Sequence, residues 1–439
     1  MKHSNILQGA AAERVRRLTK EGFWVGAGQA GAVIGGLVGV PILTRVVSPD
    51  VYGELNLLQG VVTLGQATLC LPLMQAAMRL YAEAQGKGAF GTFRGAVVRE
   101  VRKSVLLLLV LTIVSLGVWS ILTSPRVLEF MPGIIGLLIG ASWISYRNSL
   151  YSAARQRRQA ALLQAMSAWA RPLVAAALAI CLAPRTSVVL LGQAMGLLLV
   201  ARVLLWRSPL GCTDNGEAPC TRHREWRNDL WRFAFPLLPM ALVNWGLNLS
   251  GRYVVGGFWG MSEVSIFAAA SSLASMPILA AGSACVLFFG PIVYEAVVSN
   301  DRSKERKALL AYLAAVVSLS VSAVAGYWML SKPVCAFLLP SFYKGAGNLM
   351  VWIASGYCFL IVAYVPNLVL YSRSRTKLSA FCLGGALLLN VTLNFTLIPS
   401  MGALGGAIAT FGTFALYLLL TSVSGLLVLA KSCRRFEQC

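Results

Sequence analysis

Polar residues in this chain come mostly in short clusters, and between them run long, mainly apolar stretches. A helix needs about 20 mainly apolar residues to cross a bilayer. Twelve stretches meet that length: 22–44, 55–78, 104–123, 131–151, 160–183, 187–206, 234–256, 264–292, 309–330, 347–370, 378–397 and 403–429. Each predicts a helix, because hydrocarbon offers no water to exposed backbone groups and a helix pairs them internally. The pattern predicts an all-α integral membrane protein with twelve transmembrane helices.

The loops on the side opposite the termini are all short, and the longest polar stretch anywhere is 207–233. Rich in Arg and Pro, that stretch reads as a linker between two six-helix lobes. The predicted organisation is an N-terminal segment (1–21), an N-lobe (22–206), the linker (207–233), a C-lobe (234–430) and a tail (431–439). A short internal repeat supports two lobes. Val47-Ser48-Pro49-Asp50-Val51-Tyr52 follows the first span, and Met261-Ser262-Glu263-Val264-Ser265 follows the seventh. Parallel halves related by an axis along the membrane normal are one transporter architecture.

Composition strengthens this picture. Of the 439 residues, 57% are apolar and only 12% are charged, about half the charge of a soluble domain. The net charge of +22 would suggest nucleic acid on a soluble chain. Its distribution argues against that partner. Of 38 Lys and Arg, 29 fall in the termini and the loops on their side, five in the opposite loops and four within spans. Basic loops stay in the cytoplasm. Both termini are therefore expected inside, in a multi-pass protein of a bacterial inner membrane. The first apolar run begins at Gly22 and is too long for an h-region, so no cleavable signal peptide is expected. Residues 5–21 read either as an amphipathic helix on the inner leaflet or as a disordered segment.

Several motifs are decoys. Gly26-x-Gly28-x-x-Gly31 matches a dinucleotide fingerprint by letter, but it lies inside a span and lacks the strand and crossover that the fingerprint needs. Close helix packing by Gly31, Gly35 and Gly39 is the better reading. Cys212, Cys220 and His223 lack a fourth ligand and zinc spacing, so no metal and no cofactor is expected. Sequons at Asn248, Asn390 and Asn394 lie in spans. The chain has no G-x-x-x-x-G-K-[ST] and is not itself an ATP-driven pump.

Charges within spans are costly and mark function by default. Arg147, Arg171, Arg202 and Arg252 lie within predicted spans, and no Asp or Glu does. Arg171 is the deepest, is followed by the helix-bending Pro172, and shares a face with Gln164 and Ser167. It reads as a cavity cation, or as an Arg held by carbonyls that the proline frees. Asn244, Asn248 and Arg252 form a polar stripe at successive i+4 steps. The alternative for Arg252 is snorkelling to the outer headgroups. Arg147, between Trp143 and Tyr151, reads as an inner mouth or an ordinary anchor, and Arg202 as an anchor. Asn56, Gln59, Thr63 and Gln66 line one face of the second span, and Tyr357, Tyr364 and Tyr371 recur every seven residues in the tenth. Such stripes are also found as interhelical glue. A cavity with Arg and no carboxylate suits a phosphate or pyrophosphate, and amides and phenols suit sugar hydroxyls. The candidate substrate-binding residues are Arg171, Arg252 and Arg147 as cations, with Asn244, Asn248, Gln59, Gln66, Gln164, Tyr357 and Tyr364 as polar lining.

Three stretches carry a resemblance. Pro41-Ile-Leu-Thr-Arg45-Val-Val-Ser48-Pro49-Asp-Val-Tyr52-Gly53 resembles the "LTR-x-LSP-x-x-YG" opening of polysaccharide-unit flippases (Wzx type), in the multidrug/oligosaccharidyl-lipid/polysaccharide exporter (MOP) superfamily. Phe235-Pro236-Leu-Leu-Pro239, then Gly251-Arg252-Tyr253, resembles its seventh-span pattern, with Gly251 where an Asp is common. Phe342-Tyr343, then Asn390-x-x-x-Asn394-x-x-x-Ile398-Pro399-x-x-Gly402-x-x-Gly405-Gly406-Ala407, is similar to its C-terminal pattern. The resemblance implies a V-shaped pair of six-helix bundles around a central cationic cavity, working by alternating access. It implies an undecaprenyl-pyrophosphate-linked oligosaccharide as substrate, moved to the outer leaflet for O-antigen, capsule or exopolysaccharide synthesis. A membrane glycan polymerase is the partner expected from the family. A drug exporter of the same superfamily (MATE type) would be expected to show a buried carboxylate. A lipid II flippase (MurJ type) shares the cationic logic but typically has fourteen spans. A membrane glycan polymerase or ligase, the enzyme alternative, typically carries a large outer loop with catalytic Arg or His, which this chain lacks.

Overall fold

The computed structural model describes residues 2–122, 124–207, 220–299 and 301–436, with side-chain environments for 22–122, 124–203, 224–299 and 301–430. Fourteen α-helices are present among these residues: α1 (Lys2–Val46), α2 (Pro49–Gly65), α3 (Leu71–Gly86), α4 (Phe90–Leu122), α5 (Met131–Ala153), α6 (Arg157–Cys181) and α7 (Thr186–Arg207). They continue as α8 (Cys220–Ala234), α9 (Leu238–Trp259), α10 (Met261–Val298), α11 (Arg302–Leu338), α12 (Ala346–Ser372), α13 (Thr376–Met401) and α14 (Ala403–Phe436). Twelve helical segments are long and apolar enough to cross a membrane. Each overlaps one of the twelve predicted spans. The second span is α2 and α3 joined by a π-helical turn, Gln66–Cys70.

The chain folds into two compact units. One contains residues 1–39 and 62–238; the other contains 40–61 and 239–439.

The first unit is built on close approaches at small residues. An added Cβ at Gly31, Gly35 or Gly39 would lie 2.9–3.0 Å from Ala165, Trp169 or Pro172 of α6. Gly192 and Gly196 of α7 meet the α6 backbone at Ala175 and Ala170 in the same way. Backbones this close gain dispersion contact without needing water to drive them together. Within the predicted linker, residues 208–219, and with them Cys212, lie outside the described residues, as do the side chains of Cys220 and His223. The remainder forms α8, which packs on α3 and α4. Trp226 and Leu230 are buried, and the Trp226 ring meets Phe93 edge-on at 5.1 Å. The Trp231 indole donates to Glu100 at 3.0 Å, and Lys103 pairs with the same carboxylate at 2.9 Å.

In the second unit, α10, α11 and α12 enclose a core around Val293, Tyr312 and Val316. A second core joins Leu247, Ala363, Cys382 and Tyr417. The two repeat turns meet inside this unit: Ser262 donates to the Asp50 carboxylate, and Gly53 abuts the Met261 backbone. Glu263 in turn accepts from the Ala403 amide at 3.3 Å, closing the start of α14. Two acids, Glu100 and Glu305, are buried in helices that run beyond the predicted spans. Each is paired with a cation: Glu100 with Lys103, and Glu305 with Arg373 at 2.8 Å.

Candidate functional site

The second unit assembles most of the predicted polar lining. Its centre is Arg252 on α9, whose Nη1 donates to the Asn56 Oδ1 on α2 at 3.2 Å. Asn56 is buried, and its own Nδ2 donates to the Tyr52 carbonyl at 2.8 Å, so its oxygen is held toward the guanidinium. The Arg252 Nε is buried and has no hydrogen-bond partner. Its charged and polar surroundings include Tyr52, Tyr253 and Tyr357. Among the described residues no carboxylate forms an ion pair with it. A guanidinium has five donors, and a neutral amide leaves its charge uncompensated. Chemically, this is an acceptor for an anion.

One turn away on α9, the Asn248 Oδ1 accepts from the Tyr357 hydroxyl at 3.0 Å. The Asn248 Nδ2 turns back to the Asn244 carbonyl, and the Asn244 Nδ2 to the Met240 carbonyl. Both asparagines are exposed. An amide oxygen has two lone pairs, so the Asn248 Oδ1 keeps one for a further hydroxyl beside its bond from Tyr357. Tyr357 itself is buried against Phe414, with rings 5.1 Å apart. The stripe predicted for α9 therefore exists, and Tyr357 joins it from α12.

Beside it lies a polar network around Asn390 and Asn394, which the sequence shows as two sequons and as part of the C-terminal pattern but not as candidate site residues. The Asn394 Nδ2 donates to the Asn390 Oδ1 at 3.0 Å and to the Ser250 hydroxyl at 3.3 Å. Ser250 donates to Asn390, and the Asn390 Nδ2 reaches the Thr413 hydroxyl at 3.0 Å. The i, i+4 spacing of Asn390 and Asn394 was the available signal. Nothing in one sequence announces that Ser250 and Thr413 complete the network.

Other predicted residues lie elsewhere in this unit. Tyr364 packs with the apolar Val293–Tyr312 core. Gln59 is half-buried on α2, close in sequence to Gly60, whose carbonyl accepts from the Trp245 indole at 2.9 Å. The Tyr253 hydroxyl donates to the Leu57 carbonyl at 2.8 Å, and with Trp245 it ties α9 to α2.

The first unit holds the remaining candidates. Arg171 on α6 is half-buried, and its Nη2 donates to the Gln193 Oε1 on α7 at 3.3 Å. Pro172 follows inside the helix and packs under Gly39. Gln164 is half-buried two turns earlier, and Ser167 on the same face donates to the Leu163 carbonyl at 2.6 Å. Gln66 heads the π-helical turn, and its Nε2 is buried without a hydrogen-bond partner. The turn changes the helical register, so the stripe through Asn56, Gln59 and Thr63 does not continue regularly past Gln66. Arg147 is buried on α5, with its guanidinium carbon 5.0 Å from the Trp143 ring centroid, within the range of a cation–π contact. One of its terminal nitrogens, Nη1, has no hydrogen-bond partner.

The chain is all-α, has twelve helices long and apolar enough to cross a membrane among the described residues, and shares the fold of MATE and other MOP-superfamily transporters. No protein-family model matches the chain. The chain is similar to the structure of the lipid II flippase MurJ in an inward closed conformation: TM-score 0.71, 16% identity, covering 91% of this chain and 87% of that one. It is similar to an inward-facing MATE-family multidrug resistance transporter of the MOP superfamily: TM-score 0.63, 16% identity, 92% of this chain and 96% of that one. In sequence it is 25% identical over 201 residues to the probable multidrug resistance protein NorM of Photorhabdus laumondii subsp. laumondii. That match spans 42% of this chain and 42% of the length of that relative.

Proposed function

We propose that this protein is a membrane flippase of the MOP type. In this reading it moves an undecaprenyl-pyrophosphate-linked oligosaccharide from the cytoplasmic to the outer leaflet by alternating access, for cell-surface polysaccharide synthesis. It transports and is not an enzyme. The observation that carries the reading is Arg252: a membrane-embedded guanidinium held by a neutral amide, with its Nε unpartnered and phenols around it. Diphosphate matches a guanidinium in charge and in paired hydrogen-bond geometry. The exposed Asn244 and Asn248 beside it suit the hydroxyls of a glycan. Arg171 and Arg147 are cations of the same kind in the first unit. In this proposal the termini face the cytoplasm, as the basic loops require.

A second reading is favoured by a specific observation: the likeness to a lipid II flippase at TM-score 0.71. Lipid II is also a polyprenyl diphosphate bearing sugars, so the same cations serve it. A MATE-like exporter of small molecules is the third reading. Arg252 disfavours an organic cation as its cargo, because like charges repel in a low-dielectric site.

Mass spectrometry of prenyl-linked glycans after depletion of the protein tests these readings. The expected result is accumulation of one undecaprenyl-pyrophosphate oligosaccharide, reversed by re-expression. Accumulation of lipid II would establish the second reading. The absence of any lipid-linked intermediate would overturn both.

A further inference from the structure

A separate groove of about 670 Å³ opens within the second unit, bordered by α11, α12 and α14. Its two ends differ chemically. One end carries Arg302, Arg306 and Arg373 with a single acid, Glu305. Glu305 is committed to Arg373 at 2.8 Å, and three cations against one carboxylate leave this end net positive. The remainder is apolar. Leu310, Leu313 and Leu426 line it, and they stay 54%, 38% and 66% exposed. At its base Gly425 lets α14 approach α12: an added Cβ would lie 3.2 Å from the Pro366 Cβ.

The dimensions match one leaflet. From Arg302 to Leu313 is eleven residues of helix, about 16 Å at 1.5 Å per residue. Half of a hydrocarbon core about 30 Å thick is about 15 Å. The cationic end falls at the start of α11 and the end of α12, where the basic-loop bias puts the cytoplasmic face. Basic pockets between helices on that side bind anionic headgroups.

We propose that this groove binds an anionic glycerophospholipid of the inner leaflet. Its phosphate lies at the Arg302–Arg306–Arg373 end, and an acyl chain lies along Leu310 and Leu313. The lining argues against a glycan lipid here. It has no amide and no phenol, and Ser422 is its one neutral hydroxyl. That is the reverse of the surroundings of Arg252. The proposal does not rest on the identity of the transported substrate.

The test is native mass spectrometry of the full chain in non-ionic detergent, incubated with phosphatidylglycerol or phosphatidylcholine of matched chains. Each cation near an anionic lipid is worth about a fivefold preference. Phosphatidylglycerol should therefore be retained several-fold over phosphatidylcholine. Arg306→Gln, at an exposed position, should cut that preference about fivefold. Leu310→Trp, which fills the groove, should lower retention of both lipids. Glycerol 3-phosphate should fail to displace phosphatidylglycerol. Equal retention of the two lipids, an unchanged preference in Arg306→Gln, or unchanged retention in Leu310→Trp would overturn the proposal. Displacement by glycerol 3-phosphate would reassign the site to a free phosphate, and preferential retention of undecaprenyl phosphate would reassign it to a polyprenyl chain. None of these readouts depends on transport, so their failure leaves the flippase reading untouched.

Discussion

Arg252 and Asn56, 196 residues apart in sequence, share a hydrogen bond of 3.2 Å in which the acceptor is an amide rather than a carboxylate. That choice of partner keeps the site positive. Asn56→Asp replaces the amide with an isosteric carboxylate in the same place. Unit charges about 4 Å apart attract by about 4 kcal/mol at an effective dielectric of about 20, so under the proposed function the new pair competes with the anionic substrate. Transport should fall at least about tenfold, the equivalent of about 1.4 kcal/mol, with folding retained. Prenyl-linked glycan levels in complemented depletion cells measure it. Full transport in Asn56→Asp would refute a role for uncompensated charge at Arg252.

Arg171 and Gln193 repeat the arrangement in the first unit, a guanidinium on a neutral amide at 3.3 Å. If Arg171 carries diphosphate, Arg171→Ala abolishes transport while the protein still folds and inserts. Arg171→Lys keeps the charge without the paired donors and should retain part of the activity. The same glycan assay reads both. A fully active Ala variant would return Arg171 to the structural role of capping carbonyls near Pro172.

The spans were legible in this sequence because membrane crossing imposes a length and a polarity that need no tertiary knowledge. Gly31, Gly35 and Gly39 were legible as a packing face for the same reason: their spacing of four is a property of one helix. The partners of buried polar groups were not. Asn56 was visible on a stripe, but only packing of α2 against α9 puts it on Arg252. Gln66 stands at the first position of the π-helical turn, and it is the residues beyond it that fall out of register with that stripe. Asn390 and Asn394 resembled a family pattern, yet their bonds to Ser250 and Thr413 join α13 to α9 and α14, and sequence spacing does not encode them. The helix α8 was hidden because its polar residues read as linker, while Trp226 and Leu230 bury a single face.

Glu305 and Arg373 form the ion pair with the least exposed side chains among those described, 12% and 18% accessible. Removing one partner of a buried pair strands the other charge, at a cost of about 3–5 kcal/mol. Glu305→Gln should therefore lower the melting temperature in detergent clearly. The double variant Glu305→Leu/Arg373→Leu should lose less than the single, because both charges are gone. A thermal-shift series on the purified chain checks this. Equal losses in single and double variants would show that the pair contributes through packing alone.

Asp301 precedes α11 and accepts from the Lys304 backbone amide at 3.0 Å, with the Lys304 ammonium at 3.3 Å. The backbone bond, then the lysine, hold its carboxyl below the usual carboxylate range. A group whose folded pKa is depressed contributes stability above its unfolded value, about 3.9, and loses it as pH falls through the lower folded value. The protection of the Lys304 amide, its exchange slowed relative to the unfolded chain at the same pH, should therefore hold at neutral pH and fall only well into the acid range. Asp301→Ala should lack this protection at every pH. Protection that is equally pH-dependent in the Ala variant would assign the effect to another group.

Gly53 and Gly257 make opposite predictions for the same substitution. Gly53 sits on α2 where the Met261 backbone approaches, and a Cβ there would overlap the Met261 carbonyl. Backbone cannot swing aside as a flexible side chain can, so α2 or the start of α10 must shift. Overpacking of this kind costs about 1–3 kcal/mol or more. It would also disturb the neighbouring bond from Ser262 to Asp50, the contact that joins the two repeat turns. Gly257 lies on α9 with nothing within 4 Å of an added Cβ. There Gly→Ala removes backbone freedom from the unfolded chain and gains about 0.5–1 kcal/mol. Thermal melts of the two variants should move in opposite directions, with Gly53→Ala lower and Gly257→Ala equal to or above the parent. A Gly53→Ala variant as stable as the parent would show that the two turns do not meet as closely as the structure places them.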